Sequence, residues 1–198
     1  MDKIKVFKTL LDKFETDEMR NYCKEMIKEI PDYIFTMPSS TSFKYHNKTQ
    51  CQPHGQIFHI LMFGEIMNYI LGLEYIQEKY PMGIRDNLRC TAIFHDALKC
   101  GLNGSKHPLL AGEWIRKTTV EHDIPQETKA YIAYLCERHS GQWTDSKKSK
   151  TVLPKPETDE AFLVHLCDYL ASRSNLDMIY SDEVYEALGE IKMPATEV

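Results

Sequence analysis

The stretch CTAIFHDALKCG, residues 90–101, sets an imidazole, His95, beside a carboxylate, Asp96, at the end of an apolar run, with Lys99 three residues further on. Burying such a pair is costly unless other groups satisfy it. The chain offers many partners: eight histidines, at 46, 54, 59, 95, 107, 122, 139 and 165. His59 interrupts the apolar run IFHILMF, His107 precedes Pro108 at a predicted helix start, His139 ends YIAYLCERH, and Asp168 interrupts FLVHLCDYLA. One polar residue in an apolar helix is usually a satisfied core group. Several helices each delivering one point to a metal site, because imidazole nitrogen and carboxylate oxygen together suit Zn, Fe, Mn, Ni and Co, and helices can converge such ligands in a bundle core. Neighbouring helical residues diverge by about 100°, so Asp96 can reach between two ions while His95 holds one of them. His54 competes with His59 for the role of first ligand.

The elements that must position these groups are helices. IKVFKTLLDKF carries Ile4, Phe7, Leu10, Leu11 and Phe14 at i, i+3, i+4, i+7 spacing, a stripe suited to a core or to a dimer face. A second amphipathic segment carries Met19, Tyr22, Met26 and Ile30 and stops at Pro31. Further helices are expected over 57–79, 86–99, 108–119, 125–138, 158–175 and 181–190. Residues 36–56 and 140–158 are polar and rich in turn formers, and long loops of this kind often carry function. No alternating strand pattern and no repeat interrupts the helical spacing. The expectation is an all-α, single-domain helical bundle, with residues 1–35 as a helical N-terminal extension and 36–198 as the metal-binding domain.

The chain has 198 residues and a formal net charge of −5. That balance argues against a protein that coats nucleic acid through a broad basic face. The six cysteines, at 23, 51, 90, 100, 136 and 167, contain no C-x-x-C pair. With a charged, amphipathic start and no apolar run of membrane-spanning length, they read as reduced thiols of a cytoplasmic protein with no membrane partner.

The order His59, His95-Asp96, His107, His139, Asp168 resembles the HD superfamily of metal-dependent phosphohydrolases, and HDALK is similar to its common H-D-x-x-K form. The similarity spans residues 45–175. YHNKTQCQPHGQIFHILM resembles the YH…GGL-x-x-H entry of HD-domain 3′–5′ exoribonucleases. RHSGQW…LPKPETDEAFLVHLCDYLASR is similar to their HHG…P-x-T-x-E-A-x-x-x-H-x-x-D ending. The chain departs from those enzymes in lacking their β-rich nucleic-acid-binding region.

The resemblance implies a bundle of the HD type. It makes His59, His95, Asp96 and Asp168 the core metal site, with His107 and His139 as the added ligands of dinuclear members. One or two divalent ions, drawn from Mn, Fe, Zn, Ni, Co and Mg, would be the cofactor. Asp96 would bridge, and Lys99 would offset charge on the phosphate. The implied activity is hydrolysis of a phosphate ester of a nucleotide, including cyclic or dinucleotide forms, by water activated at the metal centre. The alternatives are a 3′–5′ exonuclease on short single-stranded RNA or DNA, and a non-catalytic nucleotide-binding module. Substrate contacts are expected from His46 and His54 in the first long loop, from Trp143 in the second, and from Arg173 one turn beyond Asp168.

Overall fold

The computed structural model describes residues 1–40, 44–100, 104–121, 123–141 and 151–189. Among these residues the regular structure is helical: α1 (Lys3–Val6), α2 (Lys8–Leu11), α3 (Asp17–Glu29), α4 (Gly55–Leu71), α5 (Glu74–Lys79), α6 (Met82–Phe94), α7 (His107–Lys117), α8 (Gln126–Glu137), α9 (Asp159–Ala171) and α10 (Asp182–Leu188). No described helix is long and apolar enough to cross a membrane.

The densest apolar stretch becomes the central element. α4 is buried continuously from Gly55 to Gly64, and again at Met67 and Leu71, as expected of a helix that is apolar on all sides. One side of it, through Ile57, Phe58, Ile60 and Leu61, joins a core built with α1–α3, α6, α7 and α8. The other side, through Met62, Phe63, Met67 and Leu71, packs with Leu88 and Ala92 of α6 and Ala161, Val164 and Cys167 of α9. His59 is therefore carried into the middle of the molecule by the hydrophobic effect on its neighbours.

The stripe of residues 4–14 is core: Val6, Phe7, Leu10, Leu11 and Phe14 share one cluster with α4 and α6. It is folded as two short helices rather than one, with the break at Phe7. α3 ends one residue before Ile30, which is extended ahead of Pro31, the conformation a following proline imposes. The expected 57–79 helix is likewise divided, because Leu73 is extended between α4 and α5. The expected 86–99 helix starts earlier, after Pro81, and stops at Phe94, so His95 and Asp96 lie on the turn that ends it.

The N-terminal helices are tied to α6 by a buried carboxylate. Asp86 accepts hydrogen bonds from the backbone N–H groups of Glu15 (3.0 Å) and Thr16 (2.9 Å), from the Thr16 hydroxyl (2.8 Å) and from Arg89 (2.9 Å). Glu15 pairs with Arg85 and Arg89. Arg85 foremost, with Arg89, holds the Glu15 carboxyl down at about 2. This network fixes the start of α3 against the helix that delivers His95 and Asp96.

Candidate metal centre

Two helix ends use the same local device. His95, just past the end of α6, donates its Nδ1–H to the carbonyl of Ala92 (2.9 Å). His139, two residues past the end of α8, does the same to Cys136 (2.7 Å). The carbonyls of a last helical turn lack helical partners, so they take the ring proton. That hydrogen bond leaves Nε2 of each neutral ring as a bare lone pair. Burial pushes His95 down to about 3 and lowers His139 as well, which keeps both rings in this neutral, ligating form at pH 7.

Each bare nitrogen faces a second histidine. His59 Nε2 lies 3.2 Å from His95 Nε2, and His107 Nε2 lies 3.2 Å from His139 Nε2. Two nitrogens each about 2.1 Å from one ion would be that far apart at a ligand–metal–ligand angle of about 100°.

Asp96 sits between the two pairs. Its Oδ2 is 3.7 Å from His59 Nε2 and 3.6 Å from His95 Nε2. Its Oδ1 is 2.9 Å from His107 Nε2 and 3.5 Å from His139 Nε2. Asp168, reaching in from α9, sets Oδ1 3.1 Å from His59 Nε2 and 3.8 Å from His95 Nε2. Two groups that could hold a metal ion result, His59–His95–Asp96 and Asp96–His107–His139, with Asp168 adjoining the first. Asp96 Oδ1 is buried and has no well-aligned hydrogen bond, although two imidazole nitrogens lie close to it. A cation would satisfy that oxygen, and the donor set suits divalent transition ions without choosing among them.

Burial by itself would raise both aspartates. For Asp96 the positive charge of Lys99, together with the polar imidazoles beside it, outweighs burial and keeps the carboxyl well below the ordinary range. For Asp168 the hydrogen bond from His59 and the neighbouring imidazoles do the same. Both are therefore carboxylates at neutral pH.

Around this centre lies a cleft of about 130 Å³ lined by His46, His59, Asp96, Lys99, His107, His139, Ser140, Asp168 and Ser172. A larger groove of about 690 Å³ beside Leu110 and Trp114 contains Glu29, Glu113 and Lys117 but no histidine. His59, Asp96, His107, His139 and Asp168 border the smaller space. Lys99 reaches Asp96 Oδ2 at 2.9 Å. Gln56, wholly buried on α4, donates to the same oxygen at 3.0 Å. In the sequence Gln56 is only a polar residue just before the apolar run.

No family model, curated protein or solved structure matches this chain.

The competition between His54 and His59 is decided by position. His54 caps α4 in a left-handed conformation (φ 63°), and its Nδ1 is turned to the carbonyl of Phe35. It stands at the entry of α4 and is not among the residues lining the cleft. His46 does line the cleft, its ring edge-on to His59 with centroids 5.5 Å apart. Burial, and the charge His59 can carry, depress its pKa to about 4. Arg173 is not a cleft residue either. Its guanidinium stacks on Tyr169, 3.9 Å from the ring centre, and lies 5.9 Å from that of Tyr45. Trp143 lies outside the described residues.

His165 supports His139 from behind, donating Nδ1–H to the His139 carbonyl at 3.0 Å. Gly141 makes room for it: its φ is +55°, and a Cβ there would fall 2.2 Å from His165 Nδ1. Gly141→Ala is expected to destabilise the fold by about 2–4 kcal/mol, from left-handed strain and overpacking together. It should also weaken metal binding at the His107–His139 pair. Thermal unfolding and Mn²⁺ titration check this, and wild-type values in both would refute the support role.

Proposed function

We propose that this protein is a metal-dependent phosphohydrolase of the HD type, acting on a phosphate ester of a nucleotide or small nucleotide. The observation that carries the reading is Asp96, whose two carboxylate oxygens each face a different pair of converging histidines. The order of these residues along the chain, the one that resembles the HD superfamily, adds support.

His59, His95, Asp96 and Asp168 would hold one ion, and Asp96, His107 and His139 a second. Divalent ions at such positions act as Lewis acids, lowering the pKa of water towards neutrality and taking up charge on phosphoryl oxygen. The backbone hydrogen bonds from His95 and His139 keep Nε2 available and prevent the rings from turning. Lys99 places a positive charge in the cleft beside Asp96, where it can attract a phosphate and oppose charge developing on it. At about 130 Å³ the cleft is large enough for a phosphate and the atoms next to it.

The test is a hydrolysis screen with Mn²⁺, and separately with the other divalent ions. Its panel holds nucleoside mono- and triphosphates, cyclic nucleotides, dinucleotides and short single-stranded RNA. Metal-dependent release of phosphate or of nucleotides, absent in Asp96→Asn, is the expected result. Tight nucleotide binding with no turnover under any metal would overturn the enzymatic reading in favour of a binding module.

A further inference from the structure

One wall of the cleft is polarised by a chain of hydrogen bonds that begins outside it. Gln50 is fully buried, and its Nε2 meets the carbonyl of Ala171 at 2.9 Å and the thioether of Met62 at 3.3 Å. A carbonyl only accepts, so the amide nitrogen must face Ala171, and the amide oxygen faces the other way. That oxygen lies 2.8 Å from His46 Nδ1. His46 must therefore donate through Nδ1, which leaves Nε2 of the neutral ring as an acceptor. The segment is held in place by Asn47, 3% exposed, which donates to the Leu176 carbonyl at 2.7 Å and accepts from the Gln50 N–H at 2.9 Å.

The next residue after Ala171 behaves alike. The Ser172 hydroxyl donates to the Asp168 carbonyl at 2.6 Å, a common back-bond in helices, and its oxygen lone pairs are left as acceptors. His46 and Ser172 both line the cleft. Both have committed their protons to the protein, and Gln50 joins them to the same turn of α9. Phosphate oxygens, which accept at neutral pH, find no donor in either group. Lys99, in the same cleft, presents only donors.

Building on the phosphohydrolase reading, we propose that His46 and Ser172 read a hydroxyl group of the substrate, positioned by Gln50, while its phosphate is drawn to Lys99. The substrate class is then narrowed to phosphate esters that carry a free hydroxyl close to the phosphate, as ribonucleotides do. The function assigned to His46 is acceptance of a hydrogen bond, and Gln50 is a positioning residue that fixes which ring nitrogen accepts.

The experiment compares equilibrium binding of glycerol 3-phosphate and propyl phosphate to the Mn²⁺-loaded protein. The two have the same phosphate and carbon count and differ in their hydroxyls. Wild type is expected to favour glycerol 3-phosphate by about tenfold, the usual effect of losing one hydrogen bond to a partly buried group. His46→Phe and Gln50→Leu should each bring the ratio close to one, with propyl phosphate affinity changed little. His46→Gln, which can present an acceptor at the same reach, should restore part of the preference. Equal binding of the two ligands by wild type, or a preference that survives His46→Phe, would overturn the assignment while leaving the phosphohydrolase reading standing. Binding of neither ester would count against both. Thermal unfolding of each variant separates a lost contact from a lost fold.

Discussion

Replacing Asp96 with asparagine is expected to release both metal ions at once and to lower hydrolysis by a factor on the order of 10³ or more. The reason lies in the division of its two oxygens. Oδ2 faces His59 and His95, and Oδ1 faces His107 and His139, so a single amide substitution weakens both groups. Asparagine has nearly the same shape and keeps one oxygen for Gln56 or Lys99, so the fold should persist. His107→Ala provides the contrast, since it touches only one pair and should leave the His59–His95–Asp96 group, with Asp168 beside it, able to bind one ion. Metal content by elemental analysis, alongside turnover, checks both variants. Two ions retained in Asp96→Asn, or both lost in His107→Ala, would contradict the bridging arrangement.

The metal-free protein is expected to lose stability as pH falls from 7.5 to 5. In the unfolded chain a histidine takes up its proton near pH 6.5. In the folded chain burial holds His95 at about 3, and His139 is lowered too. Below pH 6.5 the unfolded state therefore binds protons that the native state refuses. The stability is fully present above that pH and drains away below it. For His95 alone the loss reaches about 2 kcal/mol by pH 5, and His139 adds in the same direction. Asp96 and Asp168, held below the usual carboxylate range, act at lower pH. Their stabilisation is complete above about pH 4 and is lost beneath it.

Divalent ions at about a hundred times their dissociation constant should raise the unfolding midpoint by roughly 5–10 °C at pH 7.5. That gain should shrink at pH 5, where protons compete for the ligands. Denaturant titrations of chelator-treated protein at several pH values provide the measurement. A flat profile between pH 7.5 and 5 would mean that these imidazoles are not buried and neutral.

Local features were legible in the residues alone. Helical spacing at Ile4, Phe7, Leu10 and Phe14 marked a face that is core, and the apolar run around His59 marked the helix that is buried on all sides. Apolar periodicity reports burial directly, because a helix with such a stripe must cover it. The residue types of His59, His95, Asp96, His107, His139 and Asp168 signalled metal chemistry for a related reason, since ionisable groups in apolar runs demand partners.

The identity of those partners came from tertiary packing. His54 and His59 are five residues apart and alike in chemistry. A left-handed turn directs one to a backbone carbonyl, while α4 carries the other to His95. The pairings of His59 with His95 and of His107 with His139 join residues 36 and 32 positions apart in the chain, and Asp96 is placed between the pairs. Gln50 and Gln56 left no periodic trace, yet one sets the tautomer of His46 and the other donates to Asp96. Hydrogen bonds and metal ligation depend on a few ångströms and on direction. Helix packing sets those separations across the whole chain, whereas spacing along the sequence carries only each helix's own geometry.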